Sequence, residues 1–231
     1  MFARVYADGF DLDTTWGLHN RLALLLLNLG CLRRKAAQHL RVVYSVVGST
    51  VQFCSTSDIW VDHDQELRQD FIALRILVDK NVREGDDDTR AYIPEHIPSL
   101  GVRPVSVLLH YLRRVGPPSG GFLLAAPRQA ALPLPGVRLP PSAFYSTAYT
   151  AFSAAFQRAV RRAIPASSRA GLPLSRIGSH SGRKSLAQWL WERYGSSRLV
   201  ADVGHWRHSG DALNIYFVSS RRVILSCLAR L

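Results

Sequence analysis

HSGRKSLAQWLWERYGSSRLVADVGHWRHSGDALNIY, which runs from His180 to Tyr216, is the stretch of sequence that decides the fold. His180 and Arg183 are three residues apart, which places them on one face of a helix, and apolar residues follow at helical spacing. His205 comes after a glycine further along. These groups suit chemistry on a phosphate, because a guanidinium neutralises its oxygens, an imidazole moves protons and a phenol oxygen attacks. Taken singly, they also fit a basic amphipathic helix followed by a second helix with a packed tyrosine.

The order and spacing of these residues resemble the second signature box of the tyrosine recombinases, the phage-integrase superfamily. The shared pattern is His-x-x-Arg, a Gly-His about two dozen residues later, and a Tyr about ten residues further on. The resemblance implies a DNA strand transferase that uses no metal ion and no other cofactor. It also implies two catalytic residues upstream, an Arg on an early helix and a Lys on a β-hairpin.

An early apolar helix offers the first of these residues. The pattern over residues 16–40 is helical, with a break at Gly30. It resembles the first recombinase box, in which an apolar helix meets a turn and continues into a second short helix. This likeness matches Arg33 to the family's first catalytic Arg, with Arg34 as a phosphate or solvent contact. The chain departs from the family at Ala36, where a Glu is usual.

A run of predicted strands offers the second of these residues, the Lys on a β-hairpin. The pattern predicts a hairpin over residues 42–53, a strand at 59–61, a longer strand over 71–78, a polar turn over 81–88 and a strand at 92–93. Lys80 lies where the longer strand enters the turn, the position that the resemblance gives to the hairpin Lys. A solvated turn lysine is the alternative. The first hairpin is interpreted as an insertion, because the segment from Arg33 to Lys80 is longer than a minimal family member needs.

Two positions near the end of the chain leave alternatives open. The resemblance matches the last basic position to His205, which a glycine precedes. His208 lies nearer to the usual distance from the nucleophile, and Trp206 also fits, since some members use Trp. Tyr216 is matched to the nucleophile. Tyr194 competes with it, but this residue lies on the predicted His-x-x-Arg helix, too far along it to reach the same phosphate.

The composition points to a polyanionic partner. The formal net charge is +12 and the pI is about 10.3. Arginine supplies nearly all of the positive charge, since lysine occurs only at positions 35, 80 and 184. With the resemblance, this charge predicts double-stranded DNA as the partner and self-association on DNA as a dimer or tetramer. The apolar run at residues 22–29 is too short to cross a membrane, and Cys31, Cys54 and Cys227 lack metal-ligand spacing. We therefore expect an intracellular, DNA-associated protein with free thiols.

The expected fold class is α+β and mainly helical. The resemblance implies a bundle like the recombinase catalytic domain, with a small antiparallel sheet that carries the catalytic Lys. We expect a single catalytic domain over residues 1–231, with a lead-in segment at 1–15 and a tail helix at 217–231. The separate N-terminal core-binding domain of the family is expected to be absent.

Local signals predict two more helices. One covers residues 105–114, and the other runs over 142–163, where Ser142 would cap it and Pro165 would stop it. A loop rich in Gly and Pro connects them.

The resemblance also gives each matched residue a role. Two arginines clamp the scissile phosphate, and Tyr216 attacks phosphorus to form a 3′-phosphotyrosyl link with release of a 5′-hydroxyl. His180 acts as the base and Lys80 as the acid. The predicted function is a site-specific recombinase or integrase; the alternatives are a type IB topoisomerase or telomere resolvase, and an inactive DNA-binding module with the same fold. The predicted catalytic set is Arg33, Lys80, His180, Arg183, His205 and Tyr216.

Overall fold

The computed structural model describes residues 2–77, 90–146, 149–169, 174–178 and 196–204, together with positions 186, 190, 194, 228 and 229. In this part of the chain, helices combine with short antiparallel strands, which confirms a mixed α and β class with small antiparallel sheets. The helices are α1 (Phe2–Asp8), α2 (Thr15–Leu29), α3 (Arg34–His39), α4 (Pro104–Arg114), α5 (Tyr149–Ala163) and α6 (Ser197–Gly204). The strands are β1 (Tyr44–Val47), β2 (Thr50–Phe53), β3 (Ile59–Asp64), β4 (Gln69–Arg75), β5 (Arg90–Pro94), β6 (Ala126–Pro127) and β7 (Phe144–Tyr145).

Helix α2 lies at the centre of the core. The Thr14 Oγ1 caps its start by accepting a hydrogen bond from the Gly17 N–H at 3.0 Å, and the helix ends at Gly30, where the sequence predicts a break. Most of its side chains are buried, because α3, α4, α5 and β6 pack against it. Its leucines are buried on the predicted apolar face and on the opposite one: Leu18, Leu22, Leu24, Leu25, Leu26, Leu27 and Leu29.

Strands β3, β4 and β5 form an antiparallel sheet in that order. Its inner face, which includes Ile72 and Ile93, belongs to the main core. Its outer face carries a second, smaller cluster built on Phe71 and Ala73, with Trp60 and Tyr92 packed against them. The sequence predicts a strand over residues 71–78, and in the structure the corresponding strand, β4, ends at Arg75.

The hairpin predicted over residues 42–53 is confirmed. Strands β1 and β2 pair with each other, Tyr44 opposite Phe53 and Val47 opposite Thr50, and form a two-stranded sheet of their own. The turn between them needs a left-handed residue, which Gly48 supplies with φ 60°.

The region before α5 differs from the prediction. The sequence predicts a helix from Ser142, but a 3₁₀ turn at residues 141–143 is followed by β7, and the described helix begins at Tyr149. Strand β7 pairs with β6, and this pairing with a distant segment holds the chain extended where local signals favour a helix. The predicted end of the helix, at Ala163, is confirmed.

The predicted lead-in segment contains α1, which is part of the core. The Tyr6 Oη donates a hydrogen bond to the Leu24 carbonyl at 3.3 Å and accepts one from the Asn28 Nδ2 at 2.9 Å. Burial raises the pKa of Tyr6, so the phenol stays protonated and keeps this bond to α2.

Single described positions in the last part of the chain also join the core. Leu186 and Leu190 are helical and buried, and the helical Tyr194 is half-buried against the same core. Leu228, in the predicted tail helix, is helical and fully buried in this core. Across the described ranges, every helix is too short or too polar to span a bilayer.

Candidate functional site

Arg33 lies in the sharp turn between α2 and α3. Its backbone carbonyl accepts a hydrogen bond from the Ala37 N–H at 3.0 Å and so opens α3. The two residues before it, Cys31 and Leu32, are buried, and Cys31 has a left-handed φ of 49° that turns the chain. The backbone at Arg33 is therefore fixed by buried neighbours, while its own side chain is partly exposed.

The structure gives a physical reason for Ala36, at the position where the recombinase resemblance would lead to a Glu. Ala36 is buried at 3% exposure, on the side of α3 that faces the core. A carboxylate at this position would be desolvated, which is costly without a partner. An alanine therefore suits the way in which this chain packs α3.

The Arg33 turn packs on β4. A Cβ placed on Gly30 would lie 3.2 Å from the Leu74 Cδ1, so the turn and this strand are in direct contact. Leu74 precedes Arg75, the last residue of β4, and Arg33 is three residues from Gly30, within about 10 Å of it. Arg33 is thus near the end of the sheet from which the chain continues toward Lys80. Lys80 itself lies outside the described residues.

The two strand ends on either side of Lys80 carry a pair of arginines. Arg75 on β4 is directly opposite Arg90 on β5. Both guanidinium carbons lie 5.9 Å from the centroid of the Trp60 ring on β3. The strand register thus brings two guanidinium groups to one indole ring, each at a cation–π distance. Sequence reasoning missed these residues, because only the strand register shows that they meet.

A cleft of about 620 Å³ lies beside the same indole ring. It runs between β2 and β3, and its lining includes Phe53, Trp60 and Arg75. Cys54 lies at its rim as an exposed free thiol, and the hydroxyl of Thr56, which donates to the Cys54 sulfur, lowers the pKa of that thiol. Among the described residues, no three His, Cys, Asp or Glu side chains come together as metal ligands would.

A further group of basic side chains spans α2 and α4. Partial burial lowers the pKa of His110, and the charges of Arg113, Arg114 and Arg21 lower it further, in that order. His110 is therefore mainly neutral at pH 7, and the three arginines around it maintain a positive potential suited to phosphate. Three arginines near the end of α5 are also exposed: Arg158, Arg161 and Arg162.

The rest of the predicted catalytic set stays a prediction. His180, Arg183, His205 and Tyr216 lie outside the described residues, as do the alternatives Trp206 and His208. The elements next to them are described in part: Leu186 and Leu190 are buried helical positions after Arg183, and α6 ends at Gly204, directly before His205.

No protein-family description matches the chain, and no curated protein shows significant similarity to it.

Proposed function

We propose that the protein is a DNA strand transferase of the tyrosine-recombinase type, which cuts and rejoins DNA through a covalent bond to Tyr216. The observation that supports this most is the contact between the Gly30 turn and Leu74, since it brings Arg33 close to the strand end that leads to Lys80. The two residues are far apart in sequence, and the proposed mechanism needs both at one phosphate.

The proposed chemistry needs only side chains. The Tyr216 oxygen attacks phosphorus and the bond from phosphorus to the 5′-oxygen breaks, which leaves a 3′-phosphotyrosyl ester and a 5′-hydroxyl. His180 takes the proton from the phenol, whose ordinary pKa is about 10, and Lys80 gives one to the leaving oxygen. Arg33 and Arg183 neutralise the non-bridging oxygens as charge develops. Attack by a 5′-hydroxyl on the ester reverses the step and rejoins DNA, so the bond energy is kept in the ester.

A second candidate function is DNA binding without catalysis. The exposed arginines Arg158, Arg161 and Arg162 on α5 support it, because basic side chains on the surface suit a polyanion and do not involve Tyr216. The +12 net charge supports either function.

Trapping the covalent intermediate tests the proposal. The probe is a pool of duplexes of randomised sequence, each nicked so that cleavage releases a short fragment and religation is blocked. We expect an adduct that survives denaturation in SDS and whose modified peptide contains Tyr216. Tyr216→Phe removes one oxygen and should abolish the adduct, whereas Tyr194→Phe, the matched control on a half-buried tyrosine, should keep it.

Arg33 is tested in the same assay. Arg33→Ala should lower adduct formation by roughly a hundredfold or more, as expected for a donor to the developing charge. Arg4→Ala removes an exposed arginine from α1 and should have no effect. Absence of any adduct, or an adduct that persists in Tyr216→Phe, would refute the strand-transferase proposal. Relaxation of a supercoiled plasmid without exchange between two DNA molecules would identify a topoisomerase.

A further inference from the structure

Two exposed aromatic rings line a groove near the end of α3. Phe122 is 39% exposed and Tyr145 is 36% exposed, and both line a groove of about 280 Å³ together with Gln38, Pro118 and Phe144. Large rings are usually buried, so two in one groove indicate a surface that binds a flat or apolar group.

Short backbone ladders hold both rings in place. Arg41 and Phe122 are directly opposite each other in an antiparallel bridge, flanked by hydrogen bonds from the Val42 N–H to the Gly121 carbonyl and from the Leu123 N–H to the Leu40 carbonyl, at 3.0 and 2.8 Å. Tyr145 belongs to β7, which pairs with β6. The rings are therefore presented by paired backbone, and little conformational entropy is lost when a ligand binds.

Each ring has its own arginine. The Arg41 Cζ lies 5.9 Å from the centroid of the Phe122 ring, and the Arg128 Cζ lies 5.5 Å from the centroid of the Tyr145 ring. The His39 ring is a further neighbour of Phe122, at 5.7 Å between centroids. None of the described residues that line the groove is acidic. The groove thus repeats one unit, a partly exposed ring with a guanidinium over it.

We propose that this groove binds unpaired nucleotides of single-stranded nucleic acid, with bases stacked on Phe122 and Tyr145 and phosphates held by Arg41 and Arg128. A single strand is the ligand that offers flat rings and negative charges in alternation, which is the pattern of the groove. Double-stranded DNA hides its base faces in the helix stack and cannot use the two rings in this way.

The groove lies close to the proposed cleavage site without being part of it. Helix α3 runs from Arg34 to His39, so the groove is about 9 Å along this helix from Arg33. A strand held at Arg33 could continue into the groove once it is unpaired. The proposal goes beyond strand cleavage and holds whether or not Tyr216 is the nucleophile.

Fluorescence anisotropy with two labelled probes tests the proposal on the full chain. One probe is an oligothymidylate of roughly 12 nucleotides, and the other is a DNA hairpin of the same phosphate number whose loop is a non-nucleotide linker, so that every base is paired. Phe122→Ala and Tyr145→Ala should each weaken oligothymidylate binding at least about fivefold, the loss typical of one stacked base. Both variants should bind the hairpin duplex as the wild type does, which also shows that they are folded. Leu134→Ala, the control, removes a 75% exposed apolar side chain outside the groove lining and should change neither affinity.

The arginines are tested separately through salt. In the double variant Arg41→Gln, Arg128→Gln, the plot of log affinity for the oligothymidylate against log salt concentration should become shallower by roughly 1.4, for two lost phosphate contacts on a single strand. Unchanged oligothymidylate affinity in both ring variants would overturn the proposal, and so would an equal loss on the hairpin duplex. Competition by a proline-rich peptide at the two rings, with no effect of the arginine variant, would assign the groove to peptides instead.

Discussion

His19 makes the stability of this protein depend on pH in a way that can be calculated. The His19 side chain is fully buried on α2 and stacks on the Phe152 ring at 6.0 Å between centroids. Its Nδ1 lies 3.3 Å from the Tyr111 Oη, which donates its own proton to the Leu123 carbonyl. The Nδ1 therefore donates, and the buried Nε2 is left without a hydrogen-bond partner. A proton on this nitrogen would place a charge in the core.

Burial lowers the pKa of His19 from 6.5 to about 4. In the unfolded chain the same group takes up its proton near the ordinary pKa of 6.5. Between these two pH values the unfolded state binds more protons than the folded state, so the free energy of unfolding falls as the pH is lowered. Above pH 6.5 the contribution is complete, and below about pH 4 it is lost. The difference between these two pKa values corresponds to about 3 kcal/mol of folding free energy.

Urea unfolding at pH 7 and pH 4.5 measures this effect, for the wild type and for His19→Phe. We expect the wild type to lose about 2 kcal/mol more than the variant between these two pH values. Phenylalanine keeps the ring in the stack and cannot be protonated, while the carboxylates titrate in both proteins and cancel. Any constant cost of the substitution cancels too, because only the difference between the two pH values is used. An equal loss of stability in both proteins would show that His19 is accessible to protons while folded, against the burial described.

Two further predictions concern stability. Thr14→Ala removes the oxygen that accepts from the Gly17 N–H at 3.0 Å and should lower the free energy of unfolding by about 1 kcal/mol, measured by urea unfolding, while the exposed Ser45→Ala should leave it unchanged. Arg68 is exposed in the turn between β3 and β4 with a left-handed φ of 50°, so Arg68→Gly should raise the melting temperature. Gly48 is also exposed, with φ 60°, and Gly48→Ala should lower the melting temperature. A change of the same sign in both variants would contradict the account of these turns.

Much of the fold follows from local sequence patterns. The leucine run predicts α2 and the break at Gly30, and the alternating residues after it predict the hairpin of β1 and β2. The predicted helix start at Ser142 is wrong, because β7 pairs with β6, a segment that no local signal connects to it. Partners that are distant in sequence decide such segments, and a single sequence does not show them.

The same limit applies to the candidate site. The likeness to the recombinase boxes leads to Arg33, and the structure shows that the turn before it packs on β4. Arg75 and Arg90 were missed, since their meeting at Trp60 depends on the register of three strands. The pairing of Arg41 with Phe122 likewise depends on a bridge between distant segments. The roles of Lys80, His180, Arg183, His205 and Tyr216 stay predictions, because these residues lie outside the described part of the chain.

The burial of α2 by later elements has a consequence for synthesis of the chain. This helix leaves the ribosome before α4 and α5, which bury it and begin only after residue 103 and residue 148. Until then its leucines are exposed to solvent and to other chains, which favours aggregation. The nascent chain therefore depends on a chaperone, or on fast completion, until α5 has emerged. Fragments that end before α5 should be recovered as aggregates, even though they contain Arg33 and the three-stranded sheet.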